Sequence, residues 1–172
     1  MERLGFLDET GLNTKMTRLY GRAATSERCL CRVPHGHWHT ATFIAALRHD
    51  RITAPLLIDG PMEGALFLAY VQEMLAAQLR VGDIVICDNL SSHKVSGVRQ
   101  AIERRGAQLL YLPAYSPDLN PIELAFSKLK AFLRQSAART FPGLLRATAK
   151  ALDCFSAAHC IHFFHHAKYA TN

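Results

Sequence analysis

The sequence predicts an α/β fold, a mixed sheet flanked by helices, and three observations carry that expectation. Short apolar runs bounded by turn signals occur at residues 4–8, 84–87 and 108–112. Stretches with apolar residues at helical spacing lie between and after them. Two β-rich stretches, 40–47 and 52–58, are separated only by His49-Asp50-Arg51 and read as an antiparallel hairpin.

Taken in order, residues 4–8 form a strand that ends in an acid, with Gly11 in the loop after it. Residues 12–36 are mixed in charge and read as strand and loop. The hairpin follows. Asp59-Gly60-Pro61 breaks the chain, and residues 62–79 have the helical recurrence Leu66, Ala69, Tyr70, Met74, Ala77. Val81-Gly82-Asp83 turns the chain into Ile84-Val85-Ile86-Cys87, a continuous apolar run that suits a strand covered on both faces. A helix is expected over 95–105, stopped by Gly106, then a strand over 108–112. A proline-rich loop, 113–121, leads into a helix over 121–135, and helices over 142–155 and 157–169 close the chain.

With 172 residues the chain fits one domain, 1–172, with C-terminal helices from about 141. Apolar residues make up 49% and charged residues 20%, which excludes a disordered chain for most of the length. The formal net charge of +6 favours polyanionic partners. Five scattered cysteines, an odd number, do not form a disulfide framework and point to a reducing, cytoplasmic setting. The first residues lack the apolar core of a signal peptide, and no apolar run reaches the ~18 residues of a membrane span.

Three acids stand out by position. Asp8 and Asp88 each close a predicted strand, the end of an open sheet where functional groups collect. Were the two strands neighbours, their carboxylates would converge. Glu123 lies three residues into its helix, behind a stiff loop with Asn120 as the expected N-cap. Three converging oxygen donors suit Mg²⁺ or Mn²⁺ and not a structural zinc. Each acid alone has an ordinary role open to it: Asp8 closing a turn, Asp88 capping the next loop, Glu123 completing a capping box with Asn120.

The combination is more specific. Phe6-Leu7-Asp8-Glu9-Thr10-Gly11, Asp88-Asn89-Leu90-Ser91-Ser92-His93-Lys94, and Tyr111 to Glu123 with its core Ser116-Pro117-Asp118-Leu119-Asn120-Pro121 resemble the three acid motifs of mariner-related insertion-sequence transposases. From 88 to 123 is 35 positions, leaving 34 residues between the acids, the D,D,34E arrangement of that superfamily. The resemblance implies a ribonuclease H-like fold. It also implies a two-ion site on Asp8, Asp88 and Glu123 that cleaves double-stranded DNA at element ends and joins the 3′ end to a target, usually at TA. It places Asn89 and His93 beside the site, with His93 reaching the scissile phosphate or water, and has Asn120 seat the Glu123 helix. A bacterial, nucleoid-associated location, a homodimer that joins two DNA ends, and a separately encoded N-terminal DNA-binding region belong to the same expectation. Ala114 departs from the family's usual proline, and the family's N-terminal helix-turn-helix region does not occur in this sequence.

On the Glu123 helix, Ile122, Phe126, Leu129 and Leu133 make the expected buried stripe, and Ser127, Lys130 and Arg134 share a neighbouring face with Glu123. Lys130, Arg134 and, after the second motif, Lys94 are the expected DNA-phosphate contacts, against the alternative of an ordinary solvated face. Cys29, Cys31, His35, His37 and His39 have ligand chemistry but the spacing of no common zinc module. His162 and His166 sit one helical turn apart without the Glu of a zincin motif, which favours a packed terminal helix. Two rival readings remain beside the transposase: a non-catalytic remnant or DNA-binding module that keeps the fold, and a ribonuclease H-like nuclease without strand transfer.

Overall fold

The computed structural model describes residues 1–169, so the last three residues of the expected domain lie outside the described residues. Five strands form one sheet: β1 (Leu4–Asn13), β2 (Thr40–Arg48), β3 (Ile52–Asp59), β4 (Ile84–Cys87) and β5 (Gln108–Tyr111). Five helices cover it: α1 (Gly64–Tyr70), α2 (Val98–Glu103), α3 (Ile122–Ser136), α4 (Phe141–Leu152) and α5 (Ala157–His166). The strand order is β3-β2-β1-β4-β5. β1, β2 and β3 pair antiparallel, while β4 runs parallel to both β1 and β5. This mixed sheet between helices is the ribonuclease H-like fold.

The two faces of the sheet bury different helices because side chains alternate along a strand. Phe6, Leu12, Phe43, Leu47 and Ile86 pack on α3, α4 and α5 through Phe126, Leu129, Leu144 and Phe164. Leu7, Ile44, Val85, Cys87 and Leu109 pack on the other side, against α1 and α2 through Phe67, Tyr70, Val98 and Ile102. The stripe Ile122, Phe126, Leu129 and Leu133 is buried as its spacing predicts.

Several boundaries differ from the sequence expectation, each for a local reason. β1 does not stop at Asp8; it continues through Gly11 to Asn13, because β2 supplies a paired register from Gly5 opposite Arg48 to Asn13 opposite Thr40. Asp8 is therefore a mid-strand residue. Its position is terminal only relative to β4, whose pairing with β1 ends at Leu7 opposite Cys87. After β1, residues 14–39 have no regular structure and are mostly exposed. Arg139 fixes the start of this excursion by donating from Nη1 to the carbonyls of Thr14 and Met16 at 3.0 and 2.9 Å.

The helix expected over 62–79 starts at Gly64 and widens into a π-helical turn, Val71–Leu75, before a 3₁₀ turn, Ala76–Gln78. The helix expected from 95 starts only at Val98. Gly97 precedes it at φ +100°, in the left-handed region, and a Cβ there would lie 3.2 Å from Leu68 Cδ1. The preceding residues form a separate 3₁₀ turn, Ser91–Lys94. α5 ends at His166, three residues earlier than its apolar pattern. Both terminal helices have good caps: Thr140 accepts from Gly143 N–H, and Ser156 and His159 form a capping box.

At the end of the sheet away from the acids, a buried ion pair ties three segments together. Arg48 at the end of β2 donates to both Asp83 oxygens, at 2.7 and 3.1 Å, and to the Glu2 carbonyl at 2.8 Å. Asp83 also accepts from Arg80 N–H at 3.0 Å. Burial opposes ionisation of Asp83, but the Arg48 guanidinium and the Arg80 amide hold its carboxyl below the usual value. Arg48→Ala leaves that carboxylate buried and unpaired. It is expected to lower unfolding stability by about 3–5 kcal/mol, read as a lower urea midpoint at unchanged slope. Replacing Arg48 and Asp83 together by Met and Leu is expected to cost much less.

Candidate active site

The parallel register of β1 and β4 sets the first two acids side by side. Phe6 and Ile86 face α3, so two positions further along each strand Asp8 and Asp88 are directed to the same side. Glu123 enters from α3, one residue after its first position, Ile122. All three acids line one cleft of about 340 Å³, together with Asn89, Asn120 and the loop from Leu112 to Pro117. Tyr115 stands at the tip of that loop, fully exposed and at φ +57°.

Asp8 is the buried member, 5% exposed. Its Oδ1 accepts from Glu9 N–H at 2.7 Å and its Oδ2 accepts from Asn120 Nδ2 at 2.7 Å. Burial pushes its pKa up to about 7; the Glu9 amide opposes that, and the charges of Asp88, Glu123 and Glu9 add to it. The electrostatic influence of Asp88 and Glu123 on Asp8 reflects their convergence. Asp88 behaves oppositely. Burial opposes its charge, but His93 and the Leu90 amide hold its carboxyl below the usual value.

Asn120 is not the N-cap of α3. The cap position is Pro121, no side chain caps the helix, and Glu123 forms no capping box. The Asn120 side chain is buried and directed across the cleft to Asp8, while its backbone carbonyl accepts from Glu123 N–H at 3.2 Å. One residue thus links the first acid to the third, and its Oδ1 is a buried oxygen without a hydrogen-bond partner.

His93 is placed beside the acids but cannot reach a phosphate or a water in the cleft. It is 0% exposed, and its ring is stacked on Phe67 with centroids 4.4 Å apart. Its Nε2 lies 2.6 Å from Glu9 Oε2, and its Nδ1 lies 2.5 Å from Asp88 Oδ1, a close ion contact off the ideal hydrogen-bond direction. Burial lowers the pKa of the ring, but bonding to Asp88 and Glu9 and their charges override this and lift it to about 10. His93 is therefore an imidazolium at neutral pH, held between two carboxylates.

Glu9 is the site residue that sequence reasoning missed. With β1 expected to end at Asp8, Glu9 falls in the expected loop; only the continuation of β1 along β2 places it on the opposite face from Asp8, toward the loop after β4 that carries His93. Asn89 is exposed and lines the cleft. Lys94 is exposed beside the site, its Nζ 5.7 Å from the centre of the Tyr111 ring, whose hydroxyl donates to the His93 carbonyl at 3.1 Å. Lys130 and Arg134 are half-buried on α3 and do not line the cleft; at ~1.5 Å per residue they lie roughly 10 and 16 Å along the axis from Glu123. Cys29, Cys31, His35, His37 and His39 all fall in the exposed excursion. His162 and His166 are exposed on α5, whose other face packs through Phe163 and Phe164.

The donors fit a hard divalent cation in kind: three carboxylates and an unpartnered amide oxygen border one space, and the buried acid among them bears the strongest penalty for its charge. Among the described residues, no three His, Cys, Asp or Glu side chains are already gathered closely enough to hold an ion. Both Asp8 oxygens are engaged by protein donors instead.

A family profile described as DDE superfamily endonuclease matches residues 3–144. The chain belongs to that family. No curated protein sequence matches it. Among solved structures, the Mos1 transposase paired-end complex with left transposon end superposes with a TM-score of 0.74 at 15% identity, over 95% of this chain and 52% of that one. The catalytic domain of Mos1 mariner transposase gives 0.68 at 15% identity, over 95% and 76%. A Mos1 paired end complex with Mg gives 0.71 at 16% identity, over 95% and 51%, and has a counterpart with Mn. The chain thus spans about half the length of the Mos1 complex chains, and at this identity the likeness is one of fold. That fold is the one the Mos1 transposase catalytic domain adopts.

The raised pKa of Asp8 has a sign that can be tested. Its protonated form is the one the fold favours, so the associated stability is present below 3.8 and lost as pH rises through about 7. Without divalent metal, the loss between those values is expected to be on the order of 4 kcal/mol. Chemical denaturation across that range should show it, and Asp8→Asn should flatten the dependence.

Proposed function

We propose that this chain is the catalytic domain of a transposase, cleaving double-stranded DNA and transferring its 3′ end to a target at a site for two Mg²⁺ or Mn²⁺ ions. The observation that carries the reading is the convergence of Asp8, Asp88 and Glu123, from three separate elements, on one cleft. Those three side chains would hold the ions. Bound there, the ions supply activation of a water or a 3′-hydroxyl and stabilisation of the departing oxygen in an in-line phosphoryl transfer.

The residues around the acids have distinct tasks. Asn120 orients Asp8 by donating to Oδ2 and keeps it in register with the start of α3. Asn89 borders the cleft where a DNA strand would approach. Lys94 meets phosphates beside the reacting one, and Lys130 and Arg134 meet phosphates further along the DNA, consistent with the net charge of +6. The similar Mos1 structures include complexes with a transposon end, with Mg and with Mn. On this reading the partners here are element ends and a TA target. A homodimer brings two ends together, and a separately encoded N-terminal region reads them. No described helix is long and apolar enough to cross a membrane. The reading places the protein in the bacterial cytoplasm, associated with the nucleoid that would hold its DNA substrate.

A non-catalytic domain that keeps the fold is the second reading, favoured by the absence of a ready-gathered ligand group among the described residues. Cleavage of linear duplex DNA with Mg²⁺ separates the two. The catalytic reading expects Asp88→Asn and Glu123→Gln to fold normally and lose more than about 100-fold in cleavage rate. Wild-type cleavage in either variant, or none in the wild type, would sink it. Supplying a DNA 3′-hydroxyl in place of water then distinguishes a strand transferase from a plain nuclease.

DNA affinity offers a separate check. Lys130→Ala and Arg134→Ala are each expected to reduce the slope of log affinity against log salt by about 1 while leaving sequence preference alone. An unchanged slope would assign both to an ordinary solvated face.

A further inference from the structure

Glu9 follows Asp8 in sequence but points away from the cleft and does not line it. Its carboxylate meets Nε2 of the fully buried His93 at 2.6 Å, and the opposite ring nitrogen meets Asp88 Oδ1. We propose that Glu9 and His93 form a positioning relay that fixes the Asp88 carboxylate for metal binding, an inference that rests on the metal-site reading above.

The geometry leaves the relay little freedom. Phe67 covers the face of the His93 ring at 4.4 Å and 26°. The His93 backbone is held on both sides: its N–H donates to the Leu90 carbonyl at 3.3 Å, and its carbonyl accepts from Tyr111 at 3.1 Å. A ring so confined presents its two nitrogens in fixed directions, one to Glu9 and one to Asp88. Asp88 Oδ1 is then engaged by His93 and by Leu90 N–H at 3.2 Å. Among the described residues nothing engages Oδ2, the oxygen left for the cleft. Groups behind a metal ligand commonly orient it in this way, and their loss costs about 10–100-fold in metal affinity or activity.

Stability alone does not explain the arrangement. Glu9 is 16% exposed at its side chain, and an apolar residue there would fill the space without desolvating a charge. A hydrogen-bond acceptor is needed if the task is to receive the outer N–H and keep the inner one on Asp88.

The test is Mn²⁺ binding to the full chain by titration calorimetry, with thermal unfolding of each variant measured alongside. Glu9→Ala is expected to weaken Mn²⁺ binding about 10–100-fold. Glu9→Gln keeps an acceptor for Nε2 and is expected to stay close to wild type. Tyr70→Phe, which removes the 2.6 Å hydrogen bond to the Ala54 carbonyl, destabilises the same side of the sheet and should bind Mn²⁺ normally. Unaltered Mn²⁺ affinity in Glu9→Ala, or an equal loss in Tyr70→Phe, would overturn the relay. Should Glu9→Ala fail to fold, Glu9→Asp, which withdraws the carboxylate by one carbon, is judged by the same two outcomes. A wild-type chain that takes up no Mn²⁺ overturns the metal-site reading itself, and the relay with it.

Discussion

The parallel pairing of β1 with β4 is the constraint on which the site depends. Its register, Leu4 opposite Ile84 through Leu7 opposite Cys87, leaves Asp8 and Asp88 at the next matching positions. β4 stops there while β1 runs on, paired only with β2, so a gap opens beside Asp8 where the sheet loses a strand. α3 closes over that gap because its apolar stripe packs on the face carrying Phe6 and Ile86. A slip of one residue in either strand would turn its acid to the α1 and α2 side and bury a carboxylate among Phe67, Val98 and Ile102. The hydrophobic pattern that specifies the sheet therefore also specifies the position of the acids.

The same alternation divides the labour of adjacent residues. Asp8 faces Asn120 and α3; Glu9 faces His93 and Phe67. Neighbours in sequence thus reach opposite sides of the sheet, and His93 joins them by bridging Glu9 and Asp88 at the open end of β4. Far from the acids, Arg48 and Asp83 fasten the other end of β2 and β4, so the register is pinned at a distance from the cleft.

Much of this was legible in sequence because it rests on short-range pattern. The run Ile84-Val85-Ile86-Cys87 gave its strand to the residue, and the α3 stripe gave the buried face. The end of β1 was not legible, since Gly11 reads as a breaker until the partner register of β2 is known. Asn120 was read by local chemistry as a cap, but its side chain is taken by a residue 112 positions away. The place of His93 in the open cleft is an expectation from the family resemblance, and the packing of Phe67 from α1 over its ring is not visible in the sequence. For Gly11 and Asn120, tertiary contact overrode a local preference.

Charge is unevenly compensated across the three acids, and the imbalance indicates where a cation has the most to do. Asp88 has a buried imidazolium against it and stays ionised. Asp8 has only the neutral donors of Glu9 and Asn120, which cannot offset its burial and its acidic neighbours, so its proton is held to about pH 7. Hydrogen bonds from neutral groups are weaker than those from charged ones, and the low dielectric around Asp8 enlarges the difference. A divalent ion held by these acids would relieve the poorly compensated one, Asp8, while Asp88 is already in place. Asn120 holds Oδ2 of Asp8, and α3 begins two residues from Asn120. On the two-ion reading, occupancy at Asp8 and the position of Glu123 are thus mechanically linked through one side chain.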